Sequence, residues 1–364
     1  MSKSNDTENP FDTIENKTKP EETKNKPKSL KDSIFSFFIF TNIYVDFVTY
    51  FLITFALYCS FLMYTGLESH MKKLQAFNPS FKFPKKEDLY PTIWIFLILI
   101  FIHKIFNVLT IDFIEKHLSK RYDEIDEINI YKNKVSTNVI KLFLYFSSSV
   151  IGYYALRDLE FFPWTLGGTG EFKNIFTKGF PEYLFFKKTE LFNFYYNYNL
   201  AFALLDTYIL ISFPSQTDFL LMILHHIVTV NLVVFSFLTN MSHIGSIVYF
   251  THYSSDILGM VIRILIHLDV SEIYSCYFTF AFLFIFIYNR LFVFGDVIYQ
   301  TYSFVLFYDY NIYPLYLCGF LAVIMTLNLI WIVLISKKTI LFLITGRIEE
   351  IYKLKKVGET KKAK

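Results

Sequence analysis

Residues Leu221 to Arg263 read LMILHHIVTVNLVVFSFLTNMSHIGSIVYFTHYSSDILGMVIR, two apolar segments joined by a short polar turn near Asn240 to His243. Each segment has about 20 residues, or roughly 30 Å of helix at ~1.5 Å per residue, the depth of a bilayer's hydrocarbon core. The first carries His225 and His226 side by side; the second carries His252 and Asp256, four apart and so on one helix face. A short turn makes the two segments antiparallel neighbours. His226 lies about 14 residues before the turn, and His252 and Asp256 about 10 and 14 after it, so at the helical rise all three reach similar depth. Ionisable groups inside a bilayer are costly and mark a function.

The rest of the chain agrees with a membrane setting. Of 364 residues, 54% are hydrophobic and 20% aromatic, with mean hydropathy +0.38, above the usual apolar share of a soluble domain. The apolar residues form long runs between charged stretches. In lipid a backbone must satisfy its own hydrogen bonds, so such runs predict an all-α polytopic membrane protein and exclude alternating barrel strands. The net charge of +3 calls for no nucleic-acid partner. Cys59, Cys276 and Cys318 all fall in apolar runs without a CxxC pair and read as small buried hydrophobes.

Eight spans are expected, at about Tyr44–Leu67, Pro91–Ile114, Ser136–Leu156, Phe194–Phe213, Phe219–Leu238, Ile244–His267, Ile273–Phe294 and Tyr313–Ser336. Residues 1–33, rich in Lys, Glu, Asn and Thr, are expected to be a disordered tail without a cleavable signal peptide. Asn5 and Asn16 match the glycosylation acceptor pattern, usable only on a lumenal tail. Glu115–Lys134 reads as a charged linker, and 157–192, aromatic and Gly-rich, as a re-entrant or interfacial piece. Residues 34–119 form N-terminal transmembrane helices, and 345–364 a basic tail. Eight spans put both termini on one side, and the Lys/Arg-rich tail places that side in the cytosol. Lys361 and Lys362 read either as a retrieval address for the endoplasmic reticulum or as a basic tail drawn to anionic lipid.

Adjacent helical residues point about 100° apart, so His225 and His226 cannot share one narrow face but can border one cavity. Asp256 at such depth needs a partner, and an imidazole is a natural one. Arg263, seven residues on, is a second partner or a boundary anchor. Asp206 either borders the cavity or pairs with another helix. A single lone histidine would more simply bond a neighbouring helix. The eight histidines, at 70, 103, 117, 225, 226, 243, 252 and 267, contain no HxxxH or HxxHH spacing, so no metal site is expected. A proton or ion transporter could also use buried His/Asp pairs, but no inverted repeat is visible.

In order, Thr217-Asp218-Phe219, Leu224-His225-His226 with Thr229, Asn240, Gly245 and His252-Tyr253-Ser254-Ser255-Asp256 resemble the Lag1 motif of the ceramide synthases, within the TLC (TRAM–Lag1–CLN8) family. Ala155-Leu156-Arg157-Asp158, Gly179-Phe180-Pro181 and Asn289-Arg290-Leu291 are similar to the flanking signatures. The resemblance spans 120–344, about two-thirds of the chain. Three positions depart: Tyr253 stands where the motif has Asp, His243 where it has Arg, and Thr217 where it has Lys.

The resemblance implies a helical bundle around a lipid-facing cavity in the endoplasmic reticulum membrane. It implies transfer of a fatty acyl group from acyl-CoA, a co-substrate with no further cofactor, to a sphingoid base, giving ceramide or dihydroceramide. Membrane lipids and a homo- or heterodimeric partner are implied as well. His225, His226, His252 and Asp256 would be catalytic, with Asp256 orienting the working imidazole through His252. Asp218, Ser255, Arg263 and Arg290 would bind substrate. Lys337, Lys338 and Arg290 are candidates for a basic cytosolic mouth, or plain snorkelling anchors. The alternative is a non-catalytic member that senses lipid or handles cargo.

Overall fold

The computed structural model describes residues 30–118, 125–212, 219–268, 272–308 and 312–345. The chain divides into units 1–45 and 46–364; of the first, only the opening turns of helix α1 are described. The tail residues 1–29 and 346–364, with Asn5, Asn16, Lys361 and Lys362, lie outside the described residues, as does Asp218.

All regular structure among the described residues is helical. The long helices are α1 (Leu30–Phe77), α2 (Tyr90–Leu118), α3 (Ile125–Leu156), α4 (Glu190–Ser212), α5 (Phe219–Leu238) and α6 (Ser242–His267). Then α7 (Glu272–Ile287) passes through a π-helical turn (Tyr288–Val293) into α8 (Phe294–Tyr308), and α9 (Ile312–Thr345) completes the bundle. Six helical stretches have the length and apolarity of a span, including Tyr274–Phe307 as one rod and Tyr313–Ile340. The chain is a multi-pass membrane protein.

Helices α4 and α6, of 23 and 26 residues, are long enough to cross but more polar. They lie inside: most of α4 and all of 242–253 are buried, so their polar groups meet other helices and not lipid. Many side chains on the outer faces are large and apolar. Trp94, Phe101, Leu109 and Phe113 of α2 are all largely exposed, as lipid-facing residues are.

Neighbour relations close a ring in the order α3, α4, α5, α9, α7, α6 and back to α3, with α2 against the outside of α3 and α4. Hydrogen bonds between side chains tie the walls. Thr92 of α2 donates to Asn197 of α4 (2.7 Å), Ser148 of α3 to Asn199 (2.5 Å), and Tyr196 of α4 meets Ser236 of α5 (2.5 Å).

Two boundaries differ from expectation. The charged linker narrows, because α2 runs to Leu118 and α3 begins at Ile125. Charged residues do not stop a helix that leaves the lipid, since water solvates them there. The seventh segment does not end at Phe294 but continues through the π turn to Tyr308. Residues 157–189 form no span. They fold into three short 3₁₀ turns, Trp164–Leu166, Phe172–Phe176 and Glu182–Leu184. Left-handed Gly167 (φ 88°) and Gly179 (φ 72°) reverse the chain there. Helix α4 then starts where Thr189 caps the backbone N–H of Phe192 (3.1 Å).

Candidate active site

The interior of the ring holds a small cavity of about 40 Å³. Its polar lining is Asp206 of α4, His225, His226 and Thr229 of α5, and His252 and Asp256 of α6. Tyr145 of α3 and Tyr249 and Tyr253 of α6 complete much of the wall. The two imidazoles lie 5.5 Å apart between ring centres, tilted by 66°. That geometry follows from adjacent positions on a helix: they diverge, yet both border one space. His225 also packs edge-on to Trp331 of α9 (5.3 Å).

Two charged pairs flank the imidazoles. On one side Lys141 of α3 is ion-paired with Oδ1 of Asp206, both side chains about 9% exposed. The other carboxylate oxygen, Oδ2, lies 3.8 Å from His226 Nε2 and accepts a long hydrogen bond from Tyr145 (3.5 Å). On the other side Arg290, 3% exposed, donates to Asp256 (2.5 Å), Ser255 Oγ (3.1 Å), Asn328 Oδ1 (3.2 Å) and the His252 carbonyl (3.2 Å). The π turn brings Asn289 and Arg290 inward together, and Asn289 donates to Ser254 (3.3 Å). Such π insertions recur at functional sites.

His252 can be assigned a tautomer. Its Nδ1 is 2.7 Å from the Val248 carbonyl, which only accepts, so Nδ1 carries the proton. Nε2 then accepts from Asn328 Nδ2 (3.4 Å). By contrast His225 Nδ1, His226 Nε2 and Thr229 Oγ1 are buried without a hydrogen-bond partner. Buried polar atoms are almost always bonded, so three orphans on one cavity wall are available to a bound molecule.

The expected site residues thus fall into two groups. His225, His226, His252 and Asp256 line one cavity. Asp256, however, binds Arg290, and the carboxylate facing the histidine pair belongs to Asp206. Ser255 is buried, donating to the His252 carbonyl (2.8 Å) and accepting from Arg290, and so supports that guanidinium. Arg290 is no boundary anchor, for it is enclosed by α6, the π turn and α9. Arg263 lies exposed on α6. Lys337 and Lys338 lie on α9, the first half-buried and the second exposed. Among the described residues no group of three or more His, Cys, Asp or Glu is placed to hold a metal.

Sequence reasoning missed Lys141, Tyr145, Asn328 and Trp331. Lys141 carried a signal, a lysine inside an otherwise apolar run, the same costly feature that drew attention to the histidines. Asn328 and Trp331 carried none, since both are ordinary within an apolar helix.

Fold and site together define a polytopic membrane protein with a buried histidine–carboxylate cavity at the centre of a helical ring. The TLC domain model (TRAM, LAG1 and CLN8) matches residues 134–337, and the chain belongs to that family. Human ceramide synthase 4 is 29% identical over 145 residues, covering 37% of this chain and 35% of that protein. Human ceramide synthase 5 is 28% identical over 141 residues, with shares of 37% and 35%. These matches span about a third of each relative's length.

Proposed function

We propose that the chain is a ceramide synthase, an acyl-CoA-dependent N-acyltransferase of sphingoid bases in the endoplasmic reticulum membrane. The observation that carries this reading is the pair of adjacent imidazoles, His226 buried and His225 half-buried, each with a buried ring nitrogen unpartnered beside one cavity. The two human relatives are named ceramide synthases, which supports it.

The chemistry asks for what these residues offer. A sphingoid amine arrives as an ammonium. An imidazole, with an ordinary pKa of about 6.5, accepts one proton near neutrality and passes it to solvent. The freed amine attacks the thioester carbonyl, and the second imidazole donates an N–H to the oxyanion. Collapse breaks the C–S bond, and the amine's next proton passes through the base to the departing CoA sulfur. In the covalent variant an imidazole attacks the thioester first and carries the acyl group. Both substrates are lipidic, which suits a cavity inside the bilayer. Lys337 and Lys338 are the cations proposed to draw the polyanionic CoA to its mouth.

Purified protein in micelles, given several acyl-CoAs and dihydrosphingosine, should form dihydroceramide. His225→Ala and His226→Ala should each lower turnover at least about 10²-fold, the scale of a lost general base, while both variants still insert in membranes. Full activity in both sinks the assignment. Radiolabelled acyl group trapped on the protein before amine is added would identify the covalent route. The competing reading, a non-catalytic TLC protein, draws on Tyr253. Its ring joins an aromatic wall with Tyr145 (5.2 Å) and Phe202 (5.1 Å) where the Lag1 motif has an acid. Folded wild-type protein without transferase activity would establish that alternative.

A further inference from the structure

The ion pair of Lys141 and Asp206 invites a simple explanation, a clamp between α3 and α4. A clamp does not account for its placement. A buried ion pair gains little over well-packed apolar residues of the same volume, and here its carboxylate lines the cavity. The second oxygen of Asp206 is directed at His226, 3.8 Å from Nε2, and that nitrogen has no hydrogen-bond partner.

We propose that Lys141 and Asp206 are positioning residues that act as a charge-balanced unit: Asp206 orients His226, and Lys141 cancels the charge that would otherwise hold it as an imidazolium. This rests on the acyltransferase reading above. Asp206 alone beside His226 would favour the protonated ring, which is useless as a base. With Lys141 on its other oxygen, the carboxylate faces the imidazole as half of a neutral pair. The ring stays unprotonated until the ammonium substrate delivers its proton, and releases it readily afterwards.

The other groups around His226 can be set against this. From α3, Lys141 is paired with Asp206, and Tyr145 lines the cavity with its hydroxyl bonded to Asp206. His225 is the neighbour on α5. Helix α6 presents Tyr249, Tyr253, His252 and Asp256; the last is neutralised by Arg290 of the π turn. Helix α9 contributes Ile324 to the wall. The Lys141–Asp206 pair is therefore the charged element nearest His226, and changing either member should alter when that ring is protonated.

The test is the pH–rate profile of acyl transfer by full-length variants in micelles. Lys141→Met leaves the carboxylate unopposed, so the acid limb of kcat should move to higher pH by about one unit or more. Asp206→Asn leaves the ammonium unopposed, so the limb should move to lower pH, with reduced plateau kcat. Lys141→Arg should keep the wild-type limb. The double variant Lys141→Met/Asp206→Asn should return the limb to within about half a unit of wild type, with plateau kcat still lower by about tenfold. KM for acyl-CoA should stay within about twofold throughout, as a role in positioning the base predicts. Opposite shifts in the two single variants are what a clamp does not produce. Limbs that stay in place, or move in the same direction, overturn the proposal.

Each single change orphans a buried charge and can prevent folding. In that event the double variant and Lys141→Arg decide. A folded double variant with wild-type plateau kcat overturns the proposal, and one with reduced kcat beside a normal Lys141→Arg supports it. Wild-type protein that transfers no acyl group overturns the functional reading and this inference together; active wild type with unmoved limbs overturns this inference alone.

Discussion

Arg290 illustrates how much one side chain can organise. Read along the chain it ends an apolar run and looks like an anchor at the membrane boundary. In the folded bundle it is buried, stacks over Phe286 (4.7 Å) and donates four hydrogen bonds to groups on α6 and α9. Removing one member of such a buried pair is far costlier than removing both, because the partner is left charged and unsolvated. Arg290→Met should lower unfolding free energy in micelles by about 3–5 kcal/mol. Adding Asp256→Asn should recover a substantial part of that loss. Equal destabilisation by the single and double changes, in chemical denaturation followed by tryptophan fluorescence, would show that the pair contributes nothing. Asp206 differs in lying between Lys141 and the His226 ring, whereas Asp256 is taken up by Arg290.

The turn between α5 and α6 sets the register of the two helices that carry the cavity histidines. Asn240 adopts a left-handed conformation (φ 58°). The Met241 N–H bonds the Ser236 carbonyl (2.7 Å) and the Asn240 N–H the Phe237 carbonyl (3.1 Å), the paired pattern that ends a helix with a left-handed residue. Its side-chain amide donates to the carbonyls of Leu184 (2.6 Å) and Phe186 (3.1 Å), latching the aromatic connector over this end of the ring. Lys188 completes the latch, with Nζ 3.4 Å from the Phe237 carbonyl and 3.7 Å above the Phe237 ring. Burial pulls the Lys188 ammonium down from 10.5 to about 7, against a smaller upward pull from Asp88. Between those two values the unfolded chain binds the proton and the folded chain does not, so stability must rise as pH increases from about 7 towards 10. The melting temperature in micelles should climb over that window, and Lys188→Met should flatten the climb. A slope unchanged by the substitution would mean that another group is responsible.

At the scale of the whole molecule, two kinds of apolar surface must be distinguished. Ile247 of α6 is 0% exposed and Phe113 of α2 is 79% exposed, yet both are large hydrophobes in transmembrane helices. Ile247 packs among helices, where a truncation leaves a cavity; Phe113 faces outward, where acyl chains refill the space. Ile247→Ala should therefore cost about 2–5 kcal/mol, and Phe113→Ala should stay within about 0.5 kcal/mol, both measured by unfolding in micelles. A comparable loss at both sites would place Phe113 in a protein contact. The ring of helices also explains why α4 and α6 can be so polar. Several of their polar side chains reach partners on other helices, as Asn199 does on Ser148 and Tyr196 on Ser236.

Hydrophobic runs alone determined the helical membrane architecture, because a spanning backbone has no other way to satisfy its hydrogen bonds. The cost of burying charge singled out His225, His226, His252 and Asp256 before any packing was known, and helical rise put them at one depth. What spacing along single helices cannot determine is which neighbour across the bundle faces which, since that depends on the rotation of each helix about its own axis. Tertiary packing alone turned Asp206 rather than Asp256 towards the histidine pair, supplied Lys141 from a helix distant in sequence, and brought Arg290 inward through a π turn. Partner choice inside a bilayer follows from which helices touch, and the order of residues along the chain carries no direct record of that.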